Sequence, residues 1–268
     1  MIVLMFCGGR GSVSGKRNLR DRIYLSTIGE DCADLCARYD LGMEIAEFCT
    51  AYRMDREFSQ ADQVVRGLMI HARRFTFHVA YNELCPAAID PWVLDVTKRR
   101  YEMAVKLAAS YGIRKLIIHS GYVPRVYFHS WFTERSVEFW RSFLETFPAD
   151  MEICLENVME EDPYMPAEIA RQVNDPRFGL CLDVGHARVC RENTDDLQWV
   201  ETMLPWLKHL HIHNNHGVND EHLPLGEGVI PMEQILDLAG EQTEATFTIE
   251  NMQAENSVTW LLEKGYIQ

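Results

Sequence analysis

Long apolar runs are missing from this chain. None approaches the roughly 18 consecutive residues that a membrane-spanning helix needs, so no membrane span is expected. Basic charge is also scarce. Against 40 acidic residues stand 26 lysines and arginines, a formal net charge of -14 at pH 7. That balance weighs against a nucleic-acid partner, because phosphates are held by clustered cations. Paired thiols are lacking as well. The eight cysteines are scattered, with Cys32 and Cys36 in a helical pattern and Cys154 and Cys181 inside apolar strands. They read as reduced thiols of a cytoplasmic protein, not as a disulfide framework. Nucleotide signatures fail too. GGRGSVSGKR has no glycine five before Gly15, and Arg17 stands where Ser or Thr should follow Lys16. No G-x-G-x-x-G follows the first β-rich run, which leads into Thr27-Ile28-Gly29-Glu30-Asp31. Met1 to Cys7 is apolar but too short for a signal core. Residues 1–21 are therefore expected to be a flexible N-terminal tail, and residues 22–268 one domain.

What is present is a repeat. Eight β-rich runs occur at 23–26, 42–47, 75–78, 116–119, 151–156, 178–183, 207–213 and 245–250. Between them lie helical patterns, among them 92–111, 133–147, 195–204, 232–239 and 257–264. In the first of these, Val96, Met103, Ala104, Leu107, Ala108 and Tyr111 form an apolar stripe that stops at Gly112. Strands alternating with helices imply a parallel sheet with right-handed crossovers. Eight such units in this length predict α/β architecture as a single (β/α)8 TIM barrel.

The stretch LKHLHIHNNHGVNDEHLPLGEG, residues 207–228, holds five of the ten histidines. His209, His211 and His213 alternate with Leu210 and Ile212, so a strand sends the imidazoles to one face. Asp220 and His222 follow in a polar loop. Imidazole with carboxylate and without thiolate suits a zinc, manganese or iron site, not a structural zinc knot. In a barrel the active site lies at the C-terminal strand ends. There the third run ends in His78, the fourth in His119, the fifth in Glu156 and the sixth in Asp183, with His186 three further on; the seventh carries His211 and the eighth ends in Glu250. Strand ends inside a barrel are partly buried, and buried carboxylates need a partner. A shared divalent cation, Mn or Zn, is the expected one. Such a rim supports proton transfer at a carbon beside a carbonyl, which is isomerisation or epimerisation, or phosphodiester hydrolysis with more than one ion.

LEN at 155–157, CLDVGHA at 181–187, HIHNN at 211–215, DEHLPLGEG at 220–228 and TIEN at 248–251, with FHVAYNEL and IIHSGY before them, resemble the xylose isomerase-like TIM-barrel superfamily. That superfamily takes in sugar phosphate isomerases and epimerases and the endonuclease IV-like enzymes (AP endonuclease family 2). In the sugar branch the resemblance implies one ion on Glu156, Asp183, His211 and Glu250. There Glu156 and Glu250 also serve as catalytic acid and base, and His186 contacts the substrate. In the endonuclease branch it implies a three-zinc site that adds His78, His119, His186, Asp220 and His222. Gly217 stands where ketose 3-epimerases often carry a substrate-binding arginine, and His213-Asn214 replaces the Asn-Asp of the endonucleases. The first strand, YLSTIG, lacks the histidine usual in that family.

The remaining candidates lie on loops. His78, Tyr81, Arg125 and Asn157 are expected to bind substrate alongside His186, with residues 121–132 as a wall or lid. Arg53 and Arg56 read mainly as solvated partners of Asp55. Glu44 and Glu47 bracket the second strand on different faces, which makes one of them a candidate for the pocket floor. The expected partner is a small sugar or sugar phosphate; a homo-oligomer is compatible with the sequence. A non-catalytic metal- or sugar-binding barrel is the alternative to an enzyme.

Overall fold

The structure, a computed structural model, describes residues 18–268. The rejected phosphate loop and the first 17 residues of the expected 1–21 tail lie outside the described residues. Residues 18–21 depart from that expectation. Leu19 is buried and its N–H donates to the Tyr266 carbonyl, and Arg20–Arg22 makes a 3-10 turn into the first strand.

Parallel strands β1 (Ile23–Ser26), β2 (Gly42–Ile45), β3 (Phe75–His78), β4 (Lys115–His119), β5 (Glu152–Glu156), β6 (Phe178–Asp183), β7 (Leu207–Ile212) and β8 (Thr246–Ile249) pair in chain order, and β8 returns to β1 to close the barrel. Each lies on one of the eight β-rich runs. Strands such as Phe178–Asp183 are buried at every residue, which is why they read as continuous apolar runs and not as alternation. Helices α1 (Cys32–Tyr39), α2 (Ala51–Arg56), α3 (Phe58–Leu68), α4 (Pro91–Ser110), α5 (His129–Leu144), α6 (Tyr164–Val173), α7 (Val184–Cys190), α8 (Asp196–Met203), α9 (Met232–Gln242) and α10 (Glu255–Glu263) form the crossovers. Trp140 and Trp199 are fully buried on α5 and α8. Ends follow local chemistry. Asp90 caps α4 by accepting the Trp92 N–H ahead of Pro91, and Asn174 ends α6 with φ 52.

One helical face differs from the sequence reading. On α4 the buried residues are Thr97, Tyr101, Ala104, Val105 and Ala108, whereas Val96 and Met103 are 48% and 40% exposed. Thr97 is accommodated inside because its hydroxyl donates to the Val93 carbonyl and accepts the Cys85 N–H. Ala104, Ala108 and Tyr111 of the expected stripe are buried and Leu107 packs against the core, so the reading fails only at Val96 and Met103.

The bottom of the barrel carries a charged cluster. Glu152 lies 3.3 Å from Lys115 Nζ and 2.8 Å from Lys208 Nζ. Burial pushes its carboxyl up, but the two lysines outweigh burial and hold it below its ordinary 4.5. The stabilisation this gives is present above that ordinary value and is lost as pH falls through the lower folded value. Glu152→Gln is expected to lose about 1–2 kcal/mol at pH 7. In urea melts at decreasing pH, the gap between variant and parent should close.

Candidate metal centre

The closed sheet brings the C-terminal strand ends into one ring. His119 of β4 is level with Glu156 of β5, and Asp183 of β6 with His211 of β7; Glu250 directly follows β8. Asp183 caps α7, its Oδ1 accepting the His186 N–H at 2.7 Å. That cap explains the D-V-G-H spacing, because the first helical turn swings His186 back over the rim. Asp220 and His222 arrive on the loop after β7. The loop is pinned by the Asn214–Leu223 bridge and by Asn251, whose Nδ2 donates to the His222 and Leu223 carbonyls.

Backbone carbonyls orient three of the histidines. A carbonyl only accepts, so the ring nitrogen facing it carries the hydrogen. His78 Nδ1 lies 3.0 Å from the Val79 carbonyl, His186 Nδ1 3.1 Å from that of Asn157, and His222 Nδ1 2.6 Å from that of Glu250. Each ring therefore turns Nε2 to the rim. His78 Nε2 and His119 Nε2 are both 3.5 Å from Glu156 Oε2. His186 Nε2 and His222 Nε2 are 3.3 and 2.9 Å from Asp220 Oδ2. His211 uses its other nitrogen. Its Nε2 is 2.9 Å from Glu44 Oε1, while Nδ1 stands 3.3 Å from Glu156, 3.7 Å from Asp183 and 3.7 Å from Glu250.

These residues fit a divalent cation. With bonds of about 2.0–2.2 Å in a tetrahedron, ligand atoms stand about 3.3–3.6 Å apart, close to the separations around His211 Nδ1. Ligand atoms of His78, His119 and Glu156, of Glu156, Asp183 and His186, and of His78, His211 and Glu250 cluster within 4.8 Å in each set. Glu156 Oε2 and His211 Nδ1 are buried without a hydrogen-bond partner. An orphaned buried group costs about 1–3 kcal/mol, and a cation would satisfy both. Charge agrees with this. Burial pushes the Glu156 carboxyl up, but the charge of His211 beside it outweighs burial and holds it well below the usual range. Burial pushes His186 down, but Asp183 and Asp220 hold it well above. Burial takes His119 to about 3, so this ring stays neutral, as a ligand must be.

Above the rim opens a cavity of about 710 Å³, with His78, Tyr81, His119, Glu156, His186, Asp220, His222 and Glu250 among its lining. Tyr81 stacks on His119, ring centroids 4.2 Å apart. Two expected substrate contacts lie elsewhere. Arg125 is exposed at φ 66 and is absent from the lining; the turn points it to solvent. Asn157 is buried, and its amide is engaged by the Asp183 backbone, donating to the carbonyl at 3.0 Å and accepting the N–H at 2.9 Å. It braces the strand end that carries Asp183. Arg53 donates to the Glu47 carbonyl, and Asp55 is held by Arg100.

Two residues that the sequence singled out without a fixed role turn out to be supports. Glu44 lies under the rim at 0% exposure, and His213, also at 0%, sits 3.2 Å from Asp183 and stacks on His222 at 4.0 Å. The glutamate inside the apolar run GMEI was the legible signal for the first. For the second it was a glycine: a Cβ on Gly185 would stand 1.9 Å from His213 Cε1. Gly185→Ala is expected to cost about 1–3 kcal/mol by overpacking and to lower metal uptake, read by thermal melts and elemental analysis of the same preparation.

Comparison with known proteins places this geometry. A 191-residue segment, 68% of the chain, is 24% identical to an uncharacterized protein of Methanocaldococcus jannaschii, of which it spans 65% of the length. A D-tagatose 3-epimerase-like protein superposes with a TM-score of 0.72 at 21% identity, covering 91% of this chain and 96% of that one. A Thermus thermophilus protein soaked with ZnCl2 superposes at 0.71 and 22%, covering 91% and 97%. At these identities the structures speak for the fold. The family model for the xylose isomerase-like TIM barrel matches residues 33–263, and the chain belongs to that family.

Proposed function

We propose that the chain is a divalent-metal-dependent isomerase or epimerase acting on a sugar by proton transfer. The observation that carries this reading is the placement of two carboxylates, Glu156 and Glu250. Both line the cavity, and both border His211 Nδ1, at 3.3 and 3.7 Å. Glu156, Asp183, His211 and Glu250 would hold the ion. When bound, manganese or zinc polarises a carbonyl and an adjacent hydroxyl and lowers the cost of enediolate charge. Glu156 and Glu250, on different walls, take the proton from a substrate carbon and return it. His186 Nε2 faces the cavity and hydrogen-bonds a hydroxyl, and Tyr81 walls the ring. The fold shared with the D-tagatose 3-epimerase-like protein supports this reading. The test is deuterium exchange at carbon and product analysis across a panel of aldoses and ketoses, with protein loaded with Mn or Zn. Exchange at a single carbon is the expected result; none across the panel in metal-replete protein overturns the reading.

A second reading, an endonuclease IV-like zinc phosphodiesterase, is favoured by the His186–Asp220–His222 corner, which a one-ion isomerase does not need as ligands. Elemental mass spectrometry separates the two. About one ion per chain supports the isomerase. Two or three zinc ions, with abasic-duplex cleavage that is lost in Asp220→Ala, supports the phosphodiesterase.

A further inference from the structure

We infer that His213 is a positioning residue of the metal centre: its buried imidazole spans Asp183 and Asp220 and holds them in place, which leaves His186, the other imidazole between the same two carboxylates, free to meet substrate. This deepens the isomerase reading and rests on it for the role of His186.

Asp183 and Asp220 come from different places, the end of β6 and the loop after β7, and two rings join them. Inside the barrel, His213 Nε2 stands 3.2 Å from Asp183 Oδ1 and 3.3 Å from Oδ2, and its Nδ1 stands 3.6 Å from Asp220 Oδ1. On the cavity side, His186 Nδ1 stands 3.5 Å from Asp183 Oδ2 and its Nε2 3.3 Å from Asp220 Oδ2. A carboxylate only accepts, so His213 Nε2 donates to Asp183. His213 Nδ1 is buried without a hydrogen-bond partner, and Asp220 Oδ1 is an acceptor within reach of a small shift. Charge agrees. Burial pushes the Asp183 carboxyl up, but His186 and then His213 outweigh it and hold it at about 2.

The two rings differ in freedom. His213 is 0% exposed, and a Cβ on Gly185 would stand 1.9 Å from its Cε1. Its face stacks on His222, ring planes 9° apart, and His222 is itself tied by Nδ1 to the Glu250 carbonyl. Packing this close holds the ring in one orientation. His186 lines the cavity with 16% of its side chain exposed, and Asp220 sits on its loop with 31% exposed. A substrate hydroxyl that takes His186 Nε2 from Asp220 would loosen that carboxylate if His186 were its sole link to Asp183. His213 supplies a link that a substrate in the cavity does not reach.

The test reads the affinity of the first zinc on the full chain, by competition with a chromogenic chelator at pH 7, with urea melts in chelator to give the folded fraction. His213→Leu keeps bulk and removes both nitrogens. It is expected to weaken zinc binding about 10–100-fold, as loss of a group behind a ligand does. His213→Gln restores a donor toward Asp183 and should recover most of that loss. His186→Ala is expected to stay within about threefold of the parent, but to cost about tenfold more in the His213→Leu background, because groups that share partners are coupled. Zinc held by folded His213→Leu as tightly as by the parent overturns the inference. So does His186→Ala losing as much affinity as His213→Leu while His213 is intact. If His213→Leu does not fold, His213→Asn, smaller and polar, replaces it in both comparisons. Deuterium exchange by the parent is measured separately: its absence across the sugar panel overturns the isomerase reading, while the affinity pattern still decides the role of His213.

Discussion

Glu156→Gln is expected to lower proton exchange into substrate at least a thousandfold, with the barrel still folded. The size follows from two losses at once. A positioned general acid or base contributes about 10²–10⁴, and the same carboxylate is the meeting point of the rim. Its Oε2 faces His78 and His119 at 3.5 Å, and its Oε1 faces His186 at 3.5 Å and His211 at 3.3 Å. Glutamine keeps the volume but replaces one acceptor with an NH2 that points hydrogens at imidazole nitrogens and at any cation. Metal content should therefore fall together with exchange. Stability should change little in chelator, because removing a buried charge offsets the lost contacts. Carbon–deuterium exchange by NMR, metal content and a urea melt on one preparation read all three. Exchange within tenfold of the parent would remove Glu156 from the chemistry.

The barrel and much of its rim were legible because both are encoded locally. A parallel strand buried on two faces is a short apolar run, and the residue that ends it is the residue at the rim. That is how His78, His119, Glu156 and Asp183 could be placed from sequence order alone, and the structure sets them together. What was not legible depends on direction or on closure. Arg125 and Asn157 were assigned to the cavity by proximity to it in sequence. A left-handed turn leaves the first exposed outside the cavity lining, and the amide of the second pairs with the Asp183 backbone. On α4 the expected stripe fails at Val96 and Met103, and Thr97 is buried beside them because its hydroxyl is satisfied within its own helix. His213 appeared as one of three alternating imidazoles, but its contact with Gly185 joins residues 28 apart in the chain. Glu44 is the strongest case. Thr76 is its partner on the adjacent strand β3, but His209, His211 and Thr248 come from β7 and β8, and only closure of the sheet brings them to β2.

That closure makes Glu44 the second residue whose loss should be large. It is buried at 0% exposure, accepts the Thr76 hydroxyl at 2.7 Å and the Thr248 hydroxyl at 3.0 Å, and faces His209 at 3.2 Å and His211 at 2.9 Å. Burial pushes its carboxyl up, but His211 and His209 outweigh burial and hold it well below the usual range. The side His211 turns to Glu44 is Nε2, so Nδ1 is left for Glu156, Asp183 and Glu250. A carboxylate behind a ligating histidine fixes the ring and raises its basicity, and removing it typically lowers metal affinity about 10–100-fold. Glu44→Ala is expected to show that loss together with a stability loss of about 3–5 kcal/mol, because two imidazoles and two hydroxyls are left facing a void. Glu44→Gln keeps an acceptor oxygen for the threonines and one imidazole, so it should recover most of the stability and only part of the affinity. Urea melts in chelator measure the first quantity, and competition titration of zinc against a chromogenic chelator at pH 7 measures the second. The two variants separate a brace from a ligand support: if both lose stability while the folded fraction binds zinc as tightly as the parent, Glu44 fills the barrel floor and His211 holds its orientation without it.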